Sequence, residues 1–235
     1  MDNLAVIQLS TLDFIKILIM KLYRYRQINT NTFSEIAEER AWYSKYSELN
    51  DPFEGIYVNR SNDIAFDALI QKFRVCCFSK RNDNLLLWAH YAENHRGICL
   101  EYDIPDDVHK KTFFPITYSE SQPVLEKVER FPAGDPNAGA LSFKIEDAVF
   151  LTKSADWKYE EEWRTLRITD KPQAKGEMHA IPGKLTAVYF GLRTSEAAKK
   201  IIRRLAPSES RIQFLQAALQ AGHFSLEFTS SSPAV

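Results

Sequence analysis

Glu160 and Glu162, two residues apart and followed by Arg164, are the residues of this sequence whose types and spacing best suit catalysis. If residues 158–166 run as a strand, side chains alternate between faces. Glu160, Glu162, Arg164 and Leu166 then share one face, and Tyr159, Glu161, Trp163 and Thr165 take the other. Two carboxylates this close resist joint ionisation, which raises one pKa or holds a developing cation between them. Arg164 can pair with one and leave the other to act. The competing reading is a solvated charged edge that deters strand pairing.

Tyr23-Arg24-Tyr25-Arg26 offers a complementary chemistry. On a strand its two arginines face one way, a fork suited to a diphosphate or carboxylate, and a tyrosine ring suits a stacked base or nicotinamide. A surface strand whose arginines meet neighbouring acids explains the same residues. Ser79 ends an apolar run, where a hydroxyl can orient a ligand or cap the next segment. Trp88 and Tyr91 can wall a pocket, although Trp88 fits a core position better. His90 and His95 have no third partner at metal-ligand spacing, and no catalytic triad is readable. Asp51, in Asn50-Asp51-Pro52, reads first as a turn residue.

Strands and short helices must position these groups. Residues 20–26 alternate as a strand with one aromatic face, and residues 33–40 read as a helix with Thr32 as N-cap and Glu35 closing a capping box. Strands are expected over 41–44, 73–79, 98–102, 111–117, 164–168, 185–192 and 224–228. Helices are expected over 8–19, 63–72, 85–94 (with Gly97 as its stop), 141–151, 195–205 and 212–221. Residues 119–141, rich in Pro and Gly, are the least regular. Strands and short helices without the regular spacing of a doubly wound sheet predict a single α+β domain with mixed or antiparallel sheets. It spans residues 20–228, after an N-terminal helical segment (1–19) and before a frayed tail (229–235).

Composition narrows the function classes. The 235 residues are 45% hydrophobic and 26% charged with a formal net charge of -1, so no global basic excess attracts nucleic acid. Cys76, Cys77 and Cys99 form no CxxC pair and read as buried thiols, so no structural metal is expected. Charges interrupt the most apolar stretch, 5–23, which argues against a membrane span and for a cytoplasmic protein. No GxGxxG or Walker A pattern is present.

Several of these segments together resemble a bacterial and phage family, the domain of unknown function numbered 2971. They are Tyr23-Arg24-Tyr25-Arg26, Leu49-Asn50-Asp51-Pro52-Phe53-Glu54, Cys77-Phe78-Ser79, Leu87-Trp88-Ala89-His90-Tyr91, residues 95–102 and residues 157–164. More distantly, the order of a basic residue on a first strand, a strand-ending serine and a late Glu-x-Glu resembles the ADP-ribosyltransferases. That resemblance implies an ADP-ribosyltransferase-like fold and NAD as substrate. Arg24 or Arg26 would hold the NAD phosphates or ribose, and Ser79 would support the nicotinamide pocket. Glu162 would hold a ribose hydroxyl, with Glu160 as helper acid. The chain departs from the pattern in having Cys77-Phe78-Ser79 where a Ser-Thr-Ser strand is usual.

The leading expectation is therefore an NAD-consuming transferase or NAD glycohydrolase, in the role of a toxin or phage-defence effector. Its acceptor would be protein, nucleic acid or water. The site would comprise Glu160 and Glu162 as catalytic residues and Arg24, Arg26, Tyr25, Ser79, Trp88 and Tyr91 as binding residues. One alternative is a divalent-metal-dependent nuclease or other hydrolase using Glu160, Glu162 and Asp51. The other is a non-catalytic binding or regulatory module, in which the acidic segment is solvated. An unpaired strand edge would allow a homodimer.

Overall fold

The run Phe73–Ser79 is apolar on nearly every residue, the pattern of a strand covered on both faces, and it forms the hub of the protein. The structure, a computed structural model, describes residues 19–61, 63–130, 143–144, 148–208 and 211–231. The helix expected over 8–19 lies outside them except for Ile19, which opens a strand, as does the end of the tail. Of the helix expected over 141–151, residues 141–142 and 145–147 lie outside, Phe143–Lys144 pair as a strand and Ala148–Leu151 are helical.

Ten strands form one mixed, mostly antiparallel sheet. They are β1 (Ile19–Arg26), β2 (Arg40–Ser44), β3 (Phe73–Ser79), β4 (Ile98–Pro105), β5 (Phe114–Pro115), β6 (Glu162–Ile168), β7 (Gly176–Ala180), β8 (Lys184–Phe190), β9 (Gln213–Leu219) and β10 (Leu226–Ser230). The order runs β7-β2-β3-β1-β4-β8-β9-β10, with β6 on β3 and β5 on β6. Only β8 and β9 are parallel within this sheet. Among the described residues six α-helices join the strands: α1 (Thr30–Ala37), α2 (Ile64–Ile70), α3 (Leu85–His90), α4 (Asp106–Thr112), α5 (Ala148–Leu151) and α6 (Glu196–Leu205). The result is one α+β domain. Among the described residues no helix is long and apolar enough to cross a membrane.

Local chemistry explains the elements nearest β1. Along β1, Leu22 and Arg24 face α1, where Leu22 joins Ile36, Leu100 and Tyr102 in one core. Tyr23 and Tyr25 turn to the opposite face and pack with Trp88 and Tyr189. Asn29 caps α1 by accepting the Thr32 N–H, so the cap lies three residues before the expected Thr32. Glu35 closes no capping box. It is buried against Arg24 instead. Asn84 caps α3 by accepting from the N–H groups of Leu86 and Leu87. That helix ends at His90, earlier than expected, because Glu93, Asn94 and His95 adopt left-handed backbone with φ of 51°, 52° and 66°. Gly97 is not the left-handed stop. A Cβ there would lie 2.2 Å from the Arg26 carbonyl oxygen, so its missing side chain lets the loop close on the end of β1.

Other expectations are corrected. Residues 212–221, rich in Gln, Ala and Leu, are not a helix, because β9 pairs with β8 on one side and β10 on the other. Tertiary pairing overrides local propensity there. The strand expected over 111–117 is the end of α4 followed by the two residues of β5. The strand expected from 158 starts at Glu162, and residues Ala155–Glu160 form a 3-10 helix.

A candidate active site where three strands part

Strand β3 is paired along one edge by β6, from Ser79 opposite Glu162 to Phe73 opposite Ile168. Its other edge is shared. There β1 meets it only at Tyr23 opposite Ser79, and β2 only at Ser44 opposite Val75. Among the described residues, no strand pairs with Cys76, Cys77 and Phe78 on that edge. A cavity of about 170 Å³ fills the gap, lined by these three residues, by 23–26 of β1 and by Ser44 of β2. Ser79, Tyr91, Lys153, Glu160 and Glu162 are among its other lining residues. At about 30 Å³ of liquid volume per water, this space holds roughly half a dozen waters, about the size of one sugar ring.

The glutamates face the cavity by a route the alternation rule does not give. Glu161 has φ 46° and ψ 51°, a left-handed residue between the 3-10 helix and β6. That kink leaves Glu160 and Glu162 both buried while Glu161 turns outward, 3.8 Å from Arg81. A left-handed non-glycine residue costs about 1–2 kcal/mol. Glu161→Gly is therefore expected to raise the melting temperature by a few degrees in a thermal melt, and a fall would contradict the strain.

Glu160 and Glu162 belong to a buried charge cluster. Lys153 donates to Glu160 Oε2 at 2.7 Å and to Glu162 Oε2 at 3.0 Å, and stands 3.5 Å from Glu54 Oε1. Arg164 donates through Nε to Glu162 Oε1 at 2.7 Å and through a terminal nitrogen to Glu54. Tyr91 donates to Glu160 Oε1 at 2.7 Å. Three carboxylates thus face two cations, so the cluster carries one excess negative charge when all are ionised.

The two glutamates respond differently. Burial pushes Glu160 above the ordinary carboxylate range; Lys153 works against this, and the charge of Glu162 adds to it. Burial would raise Glu162 as well, but Arg164 and Lys153 outweigh it and hold the carboxyl down at about 2. Glu162 therefore stays ionised, and Glu160 is the group that takes up or gives a proton. Burial works against the Lys153 charge, but Glu162, Glu160 and Glu54 keep it protonated. Burial also pushes up the Cys77 thiol beside Glu162, which makes it inert at neutral pH.

The other expected residues separate into cavity-facing and structural groups. Arg24 is buried and donates to Glu35 at 2.7 Å, with its guanidinium over the Phe78 ring. Arg26 is different. Its Nε lies 3.4 Å from Glu35 without a formed hydrogen bond, and its terminal nitrogens bond no described residue. Its side chain keeps 20% of its exposure and lines the cavity. Ser79 also lines it, but its hydroxyl donates to the Glu160 carbonyl oxygen at 2.7 Å and accepts the Arg81 N–H. Ser79 thereby fixes the backbone that carries Glu160. The Tyr25 hydroxyl donates to the Arg81 carbonyl oxygen at 2.8 Å, and the ring lies edge-on to Trp88. Trp88 itself is fully buried, donates to the Asn82 carbonyl oxygen and does not line the cavity, which corrects its expected pocket role.

Sequence reasoning missed Lys153 and Glu54. Glu54 stands in a quoted motif but was eclipsed by Asp51, which accepts the Phe53 N–H as a turn residue. Lys153 had one available signal: clustered acids in a buried segment need more cation than Arg164 supplies.

No curated protein and no solved structure matches the chain. Residues 87–165, which include Tyr91, Lys153, Glu160 and Glu162, match the family model described as protein of unknown function (DUF2971).

Proposed function

We propose that the cavity binds NAD and cleaves its nicotinamide–ribose bond, either transferring ADP-ribose to an acceptor or giving it to water. The observation that carries this reading is that Arg26, Ser79 and Glu162, from three distant segments, line one cavity. This is the arginine, serine and glutamate order that resembles ADP-ribosyltransferases. The opposite pKa shifts of Glu160 and Glu162 support it, because paired carboxylates pushed apart in pKa divide acid–base and electrostatic work.

In this scheme Arg26 supplies the free fork for the phosphates, and Arg24 holds the strand through Glu35. The nicotinamide nitrogen leaves with the electron pair of the bond to ribose, which gives the sugar oxocarbenium character. Glu162, fixed and ionised, stabilises that charge where it develops. Glu160 accepts the proton of the attacking hydroxyl or water, with Tyr91 and Lys153 orienting its carboxylate.

The metal-dependent alternative has less support. Among the described residues no group of three His, Cys, Asp or Glu is placed to hold a metal ion, and Lys153 and Arg164 already take the carboxylates. A plain binding module predicts a solvated acidic segment, whereas Glu160 and Glu162 are each only 4% exposed.

The test is release of nicotinamide from NAD by the purified protein, beside Arg26→Gln and Arg24→Gln. Arg26→Gln is expected to raise KM at least tenfold with a nearly unchanged melting temperature. Arg24→Gln, which takes the bonded cation from buried Glu35 and leaves it Tyr102 and the more distant Arg26, is expected to lose about 3 kcal/mol of stability. Absence of NAD binding and of nicotinamide release by the folded wild-type protein would overturn the reading.

A further inference from the structure

A second cavity, of about 200 Å³, shares Glu54 and Lys153 with the first as a common wall. Its remaining walls include Asp51, Phe53 and Ile56 from the loop before Val58–Asn59, and hydroxyl side chains such as Ser119 and Thr152. Three features set its chemistry. Asp51, Glu54 and Glu120 bring negative charge, and the one cation among the described lining residues, Lys153, is already held by Glu160, Glu162 and Glu54. Asp51 Oδ2 and Glu54 Oε2 are buried and have no hydrogen-bond partner among the described residues, and Asp51 and Glu54 are themselves only 4% and 8% exposed. Phe53 and Ile56 stay 58% and 44% exposed beside these acceptors.

Buried carboxylate oxygens without donors are rare, because leaving an acceptor unpaired forfeits its hydration. Acceptors in the wall and exposed apolar side chains beside them define a ligand with a cationic donor head and an aliphatic stem. We propose that this second cavity is a binding site for an alkyl cation, a primary ammonium or guanidinium group, with its head toward Asp51 and Glu54 and its stem along Phe53 and Ile56. The site goes beyond the NAD reading and does not depend on it.

The test is titration calorimetry without NAD, using n-butylguanidinium and n-butylammonium chloride against neutral n-butylurea. Saturable binding of at least one cation, with a dissociation constant on the order of 1 mM, is expected for a ligand of this size. The urea is expected to bind at least tenfold more weakly. Asp51→Asn keeps the Oδ1 acceptor for the Phe53 N–H and so preserves the turn, but it removes the charge. It is expected to weaken cation binding tenfold or more, the scale of one charged hydrogen bond. Phe53→Ala is expected to weaken n-butylguanidinium severalfold and methylguanidinium hardly at all.

A blocked Gly-Arg-Gly peptide separates the two sources of such a cation. Binding as tight as n-butylguanidinium assigns the site to a protein side chain, and exclusion of the peptide while the small cations bind assigns it to a free amine. Equal affinity for n-butylurea, no change in Asp51→Asn, or no saturation by either cation below about 50 mM overturns the proposal. Because NAD is absent throughout, that failure would leave nicotinamide release untouched.

Discussion

Glu160→Gln is expected to cut nicotinamide release by about 100-fold or more while leaving the protein at least as stable as the wild type. The two halves of this result come from the same charge count. With three carboxylates against two cations, the cluster carries one charge too many, and Glu160 is the member that burial and Glu162 push upward. A glutamine removes that charge, still accepts from Tyr91, and leaves Lys153 with Glu162 and Glu54. The pH dependence fixes the sign. Glu160 has a raised folded pKa, so its ionisation weakens the folded state above that pKa, and the penalty disappears as pH falls below the ordinary carboxylate value near 4.5.

The stability advantage of Glu160→Gln should therefore be largest near pH 7 and shrink toward pH 4. Glu162 behaves in the opposite way. Its stabilisation is present above about 4.5 and is lost as pH falls toward about 2, on the order of 3 kcal/mol. Release by the wild type should rise with pH through the Glu160 pKa, as a general base requires, and the variant should lack that limb. Melting curves from pH 4 to 8 and a release profile over the same range check both parts. A variant that releases nicotinamide at the wild-type rate removes Glu160 from the chemistry.

The sequence made the hub strand, the flanking strand of arginines and the acidic segment legible because each carries its own pattern. Phe73–Ser79 is apolar on most residues, with Val75 to Phe78 unbroken, and its expected bounds match the observed strand. Tyr23 to Arg26 alternates, and the alternation does separate a tyrosine face from an arginine face. Strand alternation also put Glu160 and Glu162 on one side, but for a reason that does not operate. Glu160 is not in the strand, and only the left-handed turn at Glu161 keeps both carboxylates inward.

What the pattern could not supply was partnership at long range. Whether Arg24 or Arg26 was free depended on Glu35, eleven residues from Arg24 and on a different element. Lys153 is a lone lysine until the fold sets it among three glutamates. The segment 212–221 has the composition of a helix, and it became a strand because β8 and β10 flank it. Propensity is local, and those neighbours are not.

Lys153→Met is expected to be the most damaging single change in the cluster that removes no carboxylate. Among the described residues, its ammonium is the only group that touches Glu160, Glu162 and Glu54 together. Without it the cluster holds three carboxylates against Arg164 alone, and breaking such a buried pair costs about 3–5 kcal/mol. At about 2–4 °C per kcal/mol for a chain of this size, the melting temperature should fall by roughly 6–20 °C. Loss of the neighbouring cation should also push Glu160 further upward, moving the rising limb of the release profile to higher pH. The double variant Lys153→Met/Glu160→Gln distinguishes charge balance from lost packing. It restores the wild-type excess of one negative charge, so it should melt above Lys153→Met by about 0.5–3 kcal/mol of coupling. If the two changes simply add, or if the double variant melts lower than Lys153→Met, the cluster is held by shape rather than by its charge count. The contrast between Glu160 as proton carrier and Glu162 as fixed anion would then lose its physical basis.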